Sequence, residues 1–142
     1  MAPPTQPDVE IPIASESASS TALQGQSSRS ARLQTRQAMA EALMKRADLA
    51  AALTQWKILH ALDPGNVEFR RQLKATKTLI QQRVNTHMQL GEQAFAQGDF
   101  TQATREFLRV LALDPQQSRP QTYLRQIEQH HLVLSQFLFE AF

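Results

Sequence analysis

The sequence predicts an all-α fold of two helix–turn–helix units, a long linking helix and a C-terminal helix. Three observations predict it. Apolar residues recur at three- and four-residue spacing over most of the chain. The segment that closes with Ala61-Leu62-Asp63-Pro64 recurs 51 residues later as Ala112-Leu113-Asp114-Pro115. Only four glycines stand among many Ala, Leu, Gln and Arg residues, a balance that favours helix over sheet.

The first 28 residues precede this pattern. They hold Pro3, Pro4, Pro7 and Pro12 and then SESASSTALQGQSS, with no hydrophobic period. They read as a disordered tail or linker, residues 1–28, ahead of a helical domain over 29–142. Val9, Ile11 and Ile13 alternate around Pro12 and offer a short strand to a partner, although a plain tether is the simpler use. The tail carries Asp8, Glu10 and Glu16 and no Lys or Arg. The overall net charge of +2 therefore leaves a mildly basic body of +5. The start lacks a basic n-region and an apolar h-region, so no signal peptide is expected unless one has already been removed. No apolar run approaches the ~18 residues of a membrane span. With no cysteine, disulfide and thiolate chemistry are excluded.

The first helix is expected from Ser30, as N-cap, to Arg46, with Leu33, Arg36, Ala40, Leu43 and Met44 on its face. Ala47-Asp48 forms the turn. Leu49 to Leu62 is the second helix, burying Ala52, Leu53, Trp56, Leu59 and Ala61. Asn66 then caps a helix with no Pro or Gly before Gly91. One helix is predicted from Val67 to Ala96, about 45 Å long at 1.5 Å per residue; a break near Asn85-Thr86 is the rival. Gly98 ends it by taking a left-handed conformation, and Asp99 caps the next helix. That helix carries Ala103, Phe107, Val110 and Leu111 on one face, against Leu90, Gly91, Ala94 and Phe95. Small residues at Gly91 and Ala103 allow the two helices to approach. Ser118 is expected to cap a last helix over 119–140, with Pro120 in its first turn. Arg125-Gln126-Ile127 echoes Arg71-Gln72-Leu73 at an offset of 54, which implies a short insertion before this helix.

The segment Val84–Pro115 closely resembles a tetratricopeptide repeat (TPR), with Leu90, Gly91, Ala94, Gly98, Ala103, Phe107 and Pro115 at signature positions. A more degenerate copy precedes it, with Ala40 and Ala47 where glycine is usual. The resemblance divides the domain into repeat one (33–66), a linking helix (67–83), repeat two (84–117) and the C-terminal helix. It implies a groove for extended or helical peptides, lined by Gln34, Gln37, Glu41, Met44 and Lys45 in repeat one. In repeat two the matching positions are Asn85, Met88, Glu92, Phe95 and Ala96. Family members that clamp a C-terminal carboxylate use Lys and Asn where this chain has Gln37 and Glu41, so that clamp is absent.

Catalytic signatures are lacking. There is no phosphate loop, no G-x-S-x-G and no H-x-x-x-H pair among His60, His87, His130 and His131. His130 and His131 point about 100° apart on a helix and cannot chelate from one face. His87 falls on an apolar stripe, as a satisfied boundary histidine does. No enzyme activity, cofactor or metal is expected. Arg70, Arg71, Lys74 and Lys77 form a basic stripe, but without stacking aromatics no nucleic acid is expected. The end of the chain, HLVLSQFLFEAF, carries Phe137, Leu138, Phe139 and Phe142 and is apolar on every side, more than one amphipathic face needs. It folds back on repeat two or, as favoured here, serves as a partner or self-association surface. The expected function is a non-catalytic adaptor or assembly subunit of a larger, bacterial envelope-associated complex, with a periplasmic setting favoured over the cytoplasm. The runner-up readings are a cytoplasmic chaperone for a secreted or membrane client and a regulatory subunit of an enzyme.

Overall fold

The side chains that recur every three to four residues bury one stripe on each of four successive helices, and α-helix is the secondary structure that forms throughout. The computed structural model describes residues 2–4 and 13–141. Five helices run in order: α1 Ile13–Lys45, α2 Leu49–Leu62, α3 Val67–Ala96, α4 Phe100–Leu113 and α5 Ser118–Glu140. Among the described residues there is no strand. The chain divides into two compact units, Met1–Arg36 and Gln37–Phe142, and α1 runs through the boundary.

The first unit corrects the expected start of helix one. Helix begins at Ile13, not near Ser30, and takes in half of the stretch read as a disordered tail. Past Pro12 this stretch has no proline, and hydroxyls farther along α1 fold back on the helix. Ser28 Oγ donates to the Gly25 carbonyl at 3.1 Å and Thr35 Oγ1 to that of Ala31 at 3.0 Å. Residues 20–32 are all exposed. A helix that packs no face leaves no apolar period in its sequence, so the pattern could not reveal it. Of the alternating trio, Val9 and Ile11 lie outside the described residues and Ile13 opens the helix.

In the second unit the offset of 51 is a backbone repeat. Ala47 (φ 59°) and Gly98 (φ 79°) take the left-handed conformation at the two turns. Each turn closes with the same pair of bonds. Asp48 N–H donates to the Leu43 carbonyl and Ala47 N–H to that of Met44; Asp99 donates to Ala94 and Gly98 to Phe95. Asp48 and Asp99 then cap α2 and α4 through side-chain bonds to Ala51 N–H (3.3 Å) and Gln102 N–H (3.1 Å).

The correspondence continues to the starts of α3 and α5, since Val67 and Ser118 are also 51 apart. No insertion precedes α5, and the echo at 54 has no structural counterpart. Ser118 is not its cap but its first residue; the cap is Gln117, without a side-chain bond. Asp114 holds the approach to α5. Its carboxylate accepts from Gln116 N–H at 3.1 Å and from Gln117 Nε2 at 3.0 Å, as Asp63 accepts from Asn66 Nδ2 at 3.4 Å. The shorter Asn66 also accepts from Phe69 N–H at 3.1 Å and caps α3.

α3 is continuous over the predicted span and packs on α2 through its first half and on α4 through its second; α4 packs on α5. The core joins Leu49 of α2, Ile80, Val84, Met88 and Ala94 of α3, Ala103, Phe107 and Val110 of α4, and Ile127 of α5. Gly91 is where α3 and α4 come closest. A Cβ there would stand 2.6 Å from Phe107 Cε1, so only glycine leaves room for the ring. Tyr123 of α5 stacks on Phe107 at 4.7 Å and meets Phe95 edge-on at 5.0 Å. Leu90, expected on the buried face, is 44% exposed, because it sits one residue off the stripe that Met88, Gly91 and Ala94 follow.

Candidate functional site

The exposed end of α5 begins where the helix leaves the body of the second unit. His130 and His131 are the last residues of α5 to reach it in a ring contact, with centroids 4.7 and 6.4 Å from that of Phe100. Beyond them Leu132, Val133, Leu134, Phe137, Leu138 and Phe139 are 47–87% exposed. At about 100° per residue, Val133, Leu134, Phe137, Leu138 and Ala141 share an arc of roughly 140°, and Leu132 and Phe139 lie across the helix from it. Phe142 lies outside the described residues.

The internal repeat relates this surface to α3. On α3 Ile80, Val84 and Met88 are buried in the core, and His87 reaches Glu106 of α4. The equivalents of the three core residues on α5 are His131, Ser135 and Phe139, and that of His87 is Leu138. The α5 residues Leu132, Val133, Leu134 and Phe137 correspond instead to Gln81, Gln82, Arg83 and Thr86, which are exposed on α3. The apolar surface of α5 therefore includes positions that on α3 face other helices, Leu138 and Phe139, and spreads beyond them to positions exposed on α3.

The groove residues distribute unevenly. Gln34, Gln37, Glu41, Lys45, Asn85 and Ala96 keep contact with solvent, and Gln37 Nε2 donates to Glu41 Oε1 at 3.1 Å. Met44 packs on the core and its sulfur lies 3.6 Å from Thr76 Oγ1. Met88 is 7% exposed. Phe95 is wedged between Phe100 and Tyr123. Glu92 pairs with Arg119 of α5. The apolar and acidic positions of the expected groove in repeat two thus hold the helices together. The basic stripe borders a shallow groove on α3 floored by Ala75 and Leu79, and Arg71 within it is bound to Glu68 at 2.8 Å.

One cluster escaped the reading of the sequence. Glu106 is 1% exposed and receives Arg109 Nη1 at 2.7 Å and Gln102 Nε2 at 3.0 Å on one oxygen, with His87 Nδ1 at 2.6 Å from the other. The signal was present: Glu106 stands on the stripe of Ala103, Phe107 and Val110, one turn from each end, opposite a histidine on the stripe of α3. Three partners compensate its burial, and one of them, His87, ties α3 to α4.

Among the described residues no group of three His, Asp or Glu side chains is placed to hold a metal ion, and no helix is long and apolar enough to cross a membrane. No family model, curated protein or solved structure matches the chain.

Proposed function

We propose that this chain is a non-catalytic protein–protein interaction module, an adaptor or assembly subunit, built on two TPR-like hairpins and docking through the exposed end of α5. The observation that carries this reading is the run of six large apolar side chains, 47–87% exposed, over the turns from Leu132 to Phe139. Surfaces of that kind on a folded chain serve contact with another molecule. The other exposed large apolar residues of the second unit, Met39, Leu62, Val67, Leu90 and Leu108, are scattered over four helices, as single surface residues normally are.

The polar groups support the same reading. The buried carboxylate of Glu106 is fully engaged in joining two helices and is closed to substrate. The test is affinity capture with the full chain, with a chain lacking residues 135–142, and with Phe137→Asp/Leu138→Asp. Partners retained by the full chain and lost by both variants are the expected result. An unchanged set of partners overturns docking through α5.

A further inference from the structure

We propose that the outer face of α3, from Arg70 to Gln82, docks an acidic amphipathic helix of a partner protein. An adaptor needs a second surface besides the end of α5, and α3 carries one of opposite character, basic where α5 is apolar.

The charge gathers where the packing does not require it. Residues 67–83 hold five bases, Arg70, Arg71, Lys74, Lys77 and Arg83, against one acid, Glu68. Glu68 engages Arg71. Arg70, Lys74 and Lys77 are exposed, and among the described residues no acid pairs with them. The internal repeat supplies a control. Phe69 and Thr76 of α3 and their equivalents on α5, Pro120 and Ile127, are all buried, so the two helices begin by packing alike. Arg70, Arg71 and Lys77 nonetheless become Gln121, Thr122 and Glu128 on α5, and of the stripe only Lys74 keeps its charge, as Arg125. The apolar positions beside the stripe are also particular to α3, since Ala75 and Leu79 become Gln126 and His130.

The geometry selects the occupant. Arg71, Lys74, Ala75, Thr78, Leu79 and Gln82 line the groove. They stand three and four residues apart, so the groove runs along α3 for about three turns. Arg70, Lys74 and Lys77 follow one side of it and Ala75 and Leu79 the other, with Thr78 and Gln82 between. A helix laid along α3 repeats its own side chains at the same spacing. Acids on one flank then meet the bases turn by turn, and apolar side chains on the other flank cover Ala75 and Leu79. A nucleic acid would meet the same charges but no Phe, Tyr or Trp in the lining on which to stack its bases.

The experiment is fluorescence anisotropy with the full chain and a labelled synthetic helix of about 18 residues, long enough to hold its fold. The peptide carries Glu at i, i+4 and i+7 on one flank and Leu on the next. Binding is expected with Kd on the order of 10 µM at low salt, weakening as salt screens the exposed charges. Arg70→Gln/Lys77→Glu gives α3 the residues that α5 carries at those places. It is expected to weaken binding about tenfold with unchanged helicity by circular dichroism. A peptide with Ser in place of Leu is expected to bind several-fold more weakly. No binding by the wild type, equal binding by the variant, equal binding of the Ser peptide, or equally tight binding of a single-stranded oligonucleotide of the same charge each overturns the proposal. Phe137→Asp/Leu138→Asp is expected to bind the peptide as the wild type does, so the failure of this surface and that of α5 are read separately.

Discussion

At the turn of the first hairpin the left-handed residue is Ala47, and at the turn of the second it is Gly98. Opposite the close approach, the first hairpin sets Ala40 in the chain position of Gly91, and Trp56 in that of Phe107. Where the second buries Glu106, the first has Gln55. The capping bonds are nonetheless the same at both turns. The backbone path is thus held by hydrogen bonds that tolerate several side chains, while the fit between α3 and α4 depends on particular ones.

The largest break in this comparison comes from Phe107, which is fully buried against Gly91 and Tyr123. Phe107→Ala is expected to destabilise the chain by about 3–5 kcal/mol in urea unfolding, since the ring leaves a cavity that the helices cannot close. Gly91→Ala makes repeat two imitate Ala40 and forces a methyl into the ring of Phe107. A cost of about 1–3 kcal/mol is expected by the same measurement. Were Gly91→Ala neutral, the close approach at this position would not be a constraint.

Glu106→Gln gives repeat two the residue that repeat one carries at the same place. Its neighbours Arg109 and His87 lose a charged acceptor, though both keep access to water. The expected loss is about 1–2 kcal/mol. The turns respond in opposite directions. Gly98→Ala meets no atom within 4 Å, so only its backbone conformation is strained, costing about 1 kcal/mol. Ala47→Gly relieves that strain but frees the unfolded chain, for a net gain of about 0.5 kcal/mol.

The smallest effect concerns the two helix starts. The first turn of α3 carries Glu68, whose carboxyl is held below its ordinary value of 4.5 by bonds from Arg71 and Gln72. The equivalent residue on α5 is Arg119, which the α3 residue Glu92 holds. A lowered carboxyl pKa contributes stability that is present above the unfolded value and lost as pH falls through the folded one. The stability difference between wild type and Glu68→Gln, present near neutral pH, is therefore expected to vanish below the folded value, and a carboxyl titration by NMR should give Glu68 a midpoint under 4.5.

Legibility followed packing. Leu49–Leu62 and Val67–Ala96 were readable to the residue, because capping side chains and a buried stripe mark them. α1 before Ser30 was not, because residues 20–32 bury nothing and so carry no period. The groove positions of repeat two were readable as a face but not as free or occupied. Met88 and Phe95 turned inward only because α4 and α5 lie where they do.

By itself the sequence determined the all-α class, the repeat of 51 and the capped turns, since these rest on residues near each other in the chain. It also placed an apolar end on α5. Tertiary structure decided that this end stays exposed, that Glu106 is buried among three partners, and that Gly91 makes room for Phe107. Each of those depends on which helix stands opposite, a relation between residues far apart in the chain that no local pattern records.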